Sequence, residues 1–477
     1  MPWRRMNRVG EGQELMDDGL PLPKRYWAIL TIGLGVSMAV MDSAIANVAL
    51  PTIAREFHAS ASSSIWIVNG YQLAITISLL PLSSAGDIVG YRRIYLGGLA
   101  LFTLASLACA LSGSLTTLAL ARVLQGFGAA GIMAVNTALV RFIYPHRQLG
   151  RGIGINAVVV AISAAAGPTV ASAILAVAHW PWLFAVNVPL GIAAVSIGRH
   201  ALPHTPPAGH KFDAVSAVLS ALTFGLLIAG IDAVGHGQRP ALAVAEFLAM
   251  LGIGFVLVRR QLSVAAPMLP IDLLRIPIFS LSVVTSICSF IANMLALVAL
   301  PFFLQGVLGY SAVATGLLIT PWPLAMAAAA PLSGRLADRY PAGLLGGAGL
   351  LAFAGGLAAL ALMPSQAGAG DIVWRMALAG AGFGLFQTPN NRALIGSAPR
   401  HRTGGASGML GMARLLGQTT GAALAALIFA RTAEHGESFS LYVAAGFALL
   451  AAGISCIRLM DRTGAAPARP VESAPLD

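Results

Sequence analysis

The chain has 477 residues, 57% of them hydrophobic and only 10% charged, and its mean hydropathy is +0.80. Soluble domains carry about 25% charged residues, so the composition excludes a soluble globular protein and implies one that crosses a membrane many times. The net charge of +11 comes from Lys and Arg scattered in twos and threes between apolar runs, which excludes nucleic acid as a partner and instead encodes topology.

Fourteen helical spans are predicted, at about 26–50, 64–84, 92–112, 116–140, 152–178, 182–199, 213–233, 240–258, 277–306, 312–333, 342–362, 372–395, 404–430 and 439–459. The first run is too long for a secretory signal and is expected to stay as a helix. With the N-terminus in the cytoplasm, 23 of the 29 Lys and Arg fall on the inner side and four on the outer. Arg122 and Arg414 lie within the membrane. This asymmetry predicts that both termini are cytoplasmic, in a cytoplasmic (inner) membrane. Cys109, Cys288 and Cys456 all sit in apolar runs and imply neither a disulfide nor a metal framework.

Taken in chain order, the first unusual stretch is "VMDSAIANVALP" (40–51), which places Asp42 and Asn47 in an apolar span. A carboxylate at the bilayer centre costs roughly 2.5–3.5 kcal/mol, so a partner or a function must offset it. The first inner loop, "SSAGDIVGYRRI", carries Gly86, Asp87, Gly90, Arg92 and Arg93. Asp87 is expected to pair with Arg92 and Arg93 as a charge latch, with ordinary solvated loop charges as the alternative. Span four, "ARVLQGFGAAGIMAVN", buries Arg122, for which Asp42 or a carbonyl of span one is the expected partner. Gln125 follows one turn later, and the glycines at 126 and 128 permit close helix contact. Gly167-Pro168 in span five allows a kink between small residues, suited to a moving gate or to static packing.

Asp232 and Glu246 flank the turn between spans seven and eight and are expected to reach water. Trp322, between two prolines in span ten, is a possible aromatic wall for a flat or cationic ligand, or simple packing. The loop after it, "SGRLADRYPAG", repeats the latch pattern with Gly334, Asp338 and Arg339, Asp338 being expected to pair with Arg335 and Arg339. Gln387, Asn390 and Asn391 in span twelve, with Arg414 and Gln418 in span thirteen, are polar at membrane depth. Together with Asn47, Gln125 and Trp322 they are the expected substrate-cavity residues. Interhelical bonding is the alternative for Arg414 and Gln418.

Two internal matches recur at a distance of about 250 residues. "GFGAAGIMAVNTALVRFIYPHR" (126–147) pairs with "GFGLFQTPNNRALIGSAPRHR" (382–402), and "PLSSAGDIVG" (81–90) pairs with "PLSGRLADRY" (331–340). Duplicated six-span halves describe a transporter with its site between the repeats. The expected division is an N-terminal tail (1–25), a first six-helix bundle (26–200), two extra central helices (213–258), a second bundle (277–460) and a C-terminal tail (461–477).

These motifs resemble the major facilitator superfamily, and within it the fourteen-span drug:proton antiporters. The resemblance rests on "MDSAIANVALPTI" (41–53), "GDIVGYRR" (86–93), "RVLQGFGAA" (122–130), "GP" (167–168), "WPWLFAVNVPLG" (180–191) and "LFQTPNNRALIGSAPRHRTGGASGMLGMARLLGQ" (385–418), and runs from about residue 26 to 460. The chain departs from the family pattern at Ser83, Ile88, Ala171, Ser172 and Pro181. The resemblance implies an all-α integral membrane fold of two six-helix bundles plus two central helices. It also implies that Asp42 is the proton-coupling acid, modulated by Arg122, and that Gly167-Pro168 marks the antiporter helix. The implied activity is export of lipophilic, often cationic, drug-like compounds against the proton gradient, by a monomer in the lipid bilayer with no cofactor. A specific-metabolite exporter of amino acid or siderophore type is the alternative. There is no nucleotide-binding loop, and the histidines lack metal-ligand spacing, so an ATP-driven pump and a membrane enzyme are not expected.

Overall fold

The computed structural model describes residues 19–205, 212–235, 240–263, 269–364, 366–399, 402–432 and 435–459. The predicted tails fall almost wholly outside them. Fourteen long helices make up the described chain. The first six are α1 (Leu22–Glu56), α2 (Trp66–Val89), α3 (Tyr91–Ala110), α4 (Leu115–Ile143), α5 (Leu149–Val177) and α6 (Asn187–Ala201). Then come α7 (Ala214–Gly235), α8 (Pro240–Ser263) and α9 (Pro277–Phe302). The last five are α10 (Ala312–Leu336), α11 (Ala342–Ala361), α12 (Ala369–Ser397), α13 (Thr403–Arg431) and α14 (Gly436–Ile457).

Helices are the outcome that apolar surroundings impose, because every backbone N–H and C=O must find its partner within the segment. Among the described residues, thirteen helices are long and apolar enough to cross a membrane. The long helix left out is α12, whose second half carries Gln387, Asn390, Asn391 and Arg392. Asn390 and Arg392 are bonded to neighbouring helices, and α12 packs against α10 and α11 as firmly as any apolar helix does.

Helices α1–α6 form one bundle and α9–α14 the other, while α7 and α8 pair as a hairpin. The hairpin lies along the seam, with α7 touching both α2 and α13. Leu80, Leu257, Leu269 and Met412 form a small core there. The α8 helix is the least buried and presents Leu248, Leu251 and Phe255 outward, as a lipid-facing helix does.

The two halves are joined chiefly at the end of the bundle where α1 terminates. Gln305, on a π-helical turn that continues α9, donates to the Val48 carbonyl at 3.1 Å and accepts from Arg55 at 3.3 Å. Thr169 and Thr320 are 2.8 Å apart, and Thr76 and Thr419 2.7 Å apart. One continuous apolar core runs through this closed end, with Ile45, Leu50 and Ile65 from the first half and Leu295, Leu300 and Phe303 from the second.

Candidate functional site

The site grows from the way α4 is threaded between its neighbours. A Cβ at Gly126 would stand 2.5 Å from the Tyr71 carbonyl oxygen, and one at Gly128 would stand 2.4 Å from the Phe102 nitrogen. The GFG stretch therefore brings the α4 backbone against α2 on one side and α3 on the other. One turn earlier, Arg122 is carried over the Tyr71 ring, its guanidinium carbon 4.1 Å from the ring centroid, and its Nε donates to the Ile67 carbonyl at 3.0 Å.

Asp42, 1% exposed on α1, meets Arg122, which is fully buried. Arg122 Nη1 forms the ion pair with Asp42 Oδ2 and also donates to Gln125 Oε1 at 2.6 Å. Gln125 Nε2 donates to Asp42 Oδ1 at 2.8 Å and to Ser106 Oγ at 2.9 Å. Asn187, at the start of α6, donates to the same Oδ1 at 3.0 Å. The carboxylate is thus held by three donors from two helices. The expected Asp42–Arg122 partnership is direct, and the carbonyl that Arg122 takes belongs to span two rather than span one. Such a pair is costly to desolvate and is sustained by meeting most of its hydrogen bonds, Arg122 Nη2 alone of its guanidinium nitrogens being left without a partner.

Gly167-Pro168 lies beside this cluster. A Cβ at Gly167 would approach Ala44 Cβ to 2.6 Å, so α5 is packed directly on the Asp42 stretch of α1. The next turn of α5 reaches the other half, where a Cβ at Gly316 of α10 would meet Ser172 Oγ at 2.0 Å and the Pro168 carbonyl oxygen at 2.5 Å. Ser172, read from the sequence as a departure, is a contact between the halves.

Other expected residues find different places. Asp87 accepts from the Tyr91 hydroxyl at 2.5 Å instead of pairing with Arg92 or Arg93. The cause is Gly90, at φ 101°, which breaks the chain between α2 and α3 and turns Arg92 toward His204 and the Arg199 carbonyl. Gly86 lies under Tyr91, where a Cβ would stand 3.0 Å from its ring. Arg93 is exposed. Asp338 pairs with Arg392 rather than with Arg335 or Arg339, a tie between α10 and α12 at an exposed end. Gly334 sits in open space.

Trp322 does not wall a cavity in this structure. It is 2% exposed and meets Phe353 edge-on at 5.7 Å, because Gly380 lets the α12 backbone press against it. Asn390 is likewise fully buried. It donates to Ser286 Oγ at 2.7 Å and accepts from Arg458 Nη1 at 2.8 Å, tying α12 to α9 and α14. Gln387, Asn391 and Gln418 are half-buried. Asn47 is buried with its Oδ1 unpartnered. Arg414 is half-buried over the Phe290 ring. Of the two acids expected to reach water, Asp232 accepts from Trp66 Nε1 at 3.0 Å, and Glu246 buries its Oε2.

The residues missed from the sequence are Tyr71, Ser106 and Asn187 around Asp42, and Gln305 between the halves. Asn187 gave a signal, a lone amide in "FAVNVP". Tyr71 and Ser106 gave none, since tyrosine and serine in a helix are ordinary packing residues.

The model of the Major Facilitator Superfamily matches residues 32–422. The chain is 59% identical over 444 residues to "Uncharacterized transporter YebQ" of Escherichia coli, covering 93% of this chain and 97% of that protein. It is 28% identical to "Riboflavin transporter RibZ" of Clostridioides difficile, over 88% of this chain and 92% of that one. It is 32% identical to "Multidrug resistance protein Stp" of Mycobacterium tuberculosis, over 84% of this chain and 75% of that one.

Proposed function

Because the chain belongs to the Major Facilitator Superfamily and is a multi-pass membrane transporter, we propose that it is a proton-coupled exporter of lipophilic, drug-like compounds, one of the fourteen-span drug:proton antiporters. Both termini lie in the cytoplasm, so the closed end of the bundle faces outward and the structure is an inward-facing state. The observation that carries the reading is Asp42, a carboxylate sealed at 1% exposure and shared among Arg122, Gln125 and Asn187 beside the α5 contact.

The mechanism follows from what a proton does there. While Asp42 is charged, it neutralises Arg122 and draws α1, α4 and α6 together. A proton on Asp42 removes the counter-charge, and an uncompensated buried ion costs about 3–5 kcal/mol. That is enough to shift a two-state equilibrium by about two to four powers of ten. The strain is relieved as α1 and α5 shift at Gly167, and α5 passes the movement through Pro168 and Ser172 to Gly316 on α10. The proton gradient then drives substrate outward, supplemented by about 2.3 kcal/mol per charge per 100 mV.

The similarity to a multidrug resistance protein supports drug export. Similarity to a riboflavin transporter supports a second reading, a dedicated metabolite transporter in the same fold. Efflux of cationic, neutral and anionic dyes from cells lacking their own pumps, with wild type or Asp42→Asn, with and without a protonophore, tests the proposal. Efflux abolished by either the mutation or the protonophore is expected; efflux by Asp42→Asn equal to wild type would sink it.

A further inference from the structure

Arg414 lies well inside α13, and the helix presents three faces around it. Gly417 and Gly421 pack on the α9 backbone at Ile287 and Ile291. Leu415 joins the core of the first half, and Thr419 bonds Thr76 of α2. At about 100° per residue, the stripe of Gly411, Arg414 and Gln418 falls between those two faces, where α2 of one half and α9 of the other make little contact. A Cβ at Gly411 would meet nothing within 4 Å. The stripe therefore looks into the space between the halves.

The guanidinium of Arg414 stands over the Phe290 ring, 5.7 Å from its centroid. Among the described residues it has no ion pair and no side-chain hydrogen bond. Arg122 differs, having spent its charge on Asp42. Other acids with assigned partners lie toward helix ends: Asp213 on Arg260, Asp272 on Arg402, Asp232 on Trp66. Among the described residues, Arg414 is thus a cation of this stripe without a counter-charge, while the Asp42 carboxylate is taken up by Arg122, Gln125 and Asn187.

We propose that this space takes organic anions, aromatic or lipophilic molecules bearing a carboxylate, with Arg414 as the partner of the acid group. An unpaired cation at membrane depth is costly, and an incoming carboxylate recovers that cost while fitting the planar guanidinium fork with two parallel hydrogen bonds. Gln418, one turn away, is within reach of a second polar group on the same ligand. The inference rests on the transporter reading and reverses the charge that the sequence resemblance implies.

Binding to the purified full-length protein decides it, with 1-naphthoate and 1-naphthylmethylammonium as matched probes followed by tryptophan quenching. Wild type is expected to bind naphthoate at least tenfold more tightly than the ammonium. Arg414→Gln should erase the preference, Arg414→Lys should keep part of it, and Arg414→Glu should invert it. Equal binding, an ammonium preference, no naphthoate binding by wild type, or a preference that survives in Arg414→Gln overturns the proposal. The wild-type preference alone can refute it, so a variant that fails to fold does not protect it. Binding is read without a gradient, so loss of proton-driven efflux alongside an intact naphthoate preference would count against antiport and not against this assignment.

Discussion

Arg122 and Gln125 stand one turn apart on α4 and both bond the same carboxylate, Asp42, while Gln125 also accepts from Arg122 at 2.6 Å. The three side chains form a closed ring, so each holds the others in place. A lone Asp–Arg pair in lipid would leave lone pairs and protons unmet; the amide, with Asn187 and the Ile67 carbonyl, meets most of them.

The ring predicts strong coupling between its two charges. Arg122→Gln alone leaves Asp42 buried and uncompensated and should destabilise the protein by about 3–5 kcal/mol. Adding Asp42→Asn should recover much of that loss. Thermal unfolding of the two single variants and the double variant in detergent gives the coupling energy; simple additivity would mean the pair is not a unit.

Gln125→Leu removes the bridging amide and strands one bond each on Asp42, Ser106 and Arg122. A cost of about 1–3 kcal/mol is expected from the groups left unsatisfied. Efflux should fall more than stability accounts for, because Asp42 would lose its orientation. Comparing the rate per correctly inserted molecule with the melting temperature separates the two effects.

Gly126→Ala tests how the site is positioned. The added methyl would stand 2.5 Å from a backbone oxygen of Tyr71, which cannot rotate away, so α4 must move. A loss of about 1–3 kcal/mol is expected from overpacking, with displacement of Arg122 from the Tyr71 face. An unchanged melting temperature would contradict the packing described here.

Gly316→Val should act on conformation rather than on fold. Its side chain would collide with Ser172 and the Pro168 carbonyl at the seam between the halves. The closed end should open, raising the reactivity of a cysteine placed at Thr52 toward a membrane-impermeant thiol reagent. A reactivity equal to that of the Gly316 parent would show that this contact does not hold the end shut.

The tie that joins the start of α7 to the end of α8 should depend on pH. Burial of Asp213 works against its charge, but hydrogen bonds from Ser216 and the Arg260 ion pair outweigh it and hold the carboxyl below the usual carboxylate range. A depressed pKa means that the stabilisation is complete above the unfolded value and is lost as pH falls through the folded one. Spin labels at Val215 and Leu262 should hold one distance at neutral pH and broaden only below about pH 4, while Asp213→Asn should broaden it throughout.

How much could be read in advance varies with the range of the interaction. Helix positions, the duplicated halves and the intramembrane Asp42 and Arg122 are written in composition and spacing, since lipid penalises charge wherever it falls along a span. The latch partners were misplaced because sequence neighbours such as Asp87 and Arg92 compete with whatever the turn at Gly90 brings near. Asn390 and Trp322 looked functional because polarity and aromaticity at depth are visible in a sequence, whereas the Arg458 and Phe353 that occupy them are not.

That this chain spans a membrane as paired helical bundles and keeps an acid and two arginines inside it is legible residue by residue, because transfer energies act on each side chain separately. That Arg122 is neutralised by Asp42 while Arg414 has no such partner follows from the packing of the helices. Charge pairing depends on distances of a few ångströms between helices far apart in the chain, and those distances are set by where glycines such as Gly126 and Gly167 let backbones meet.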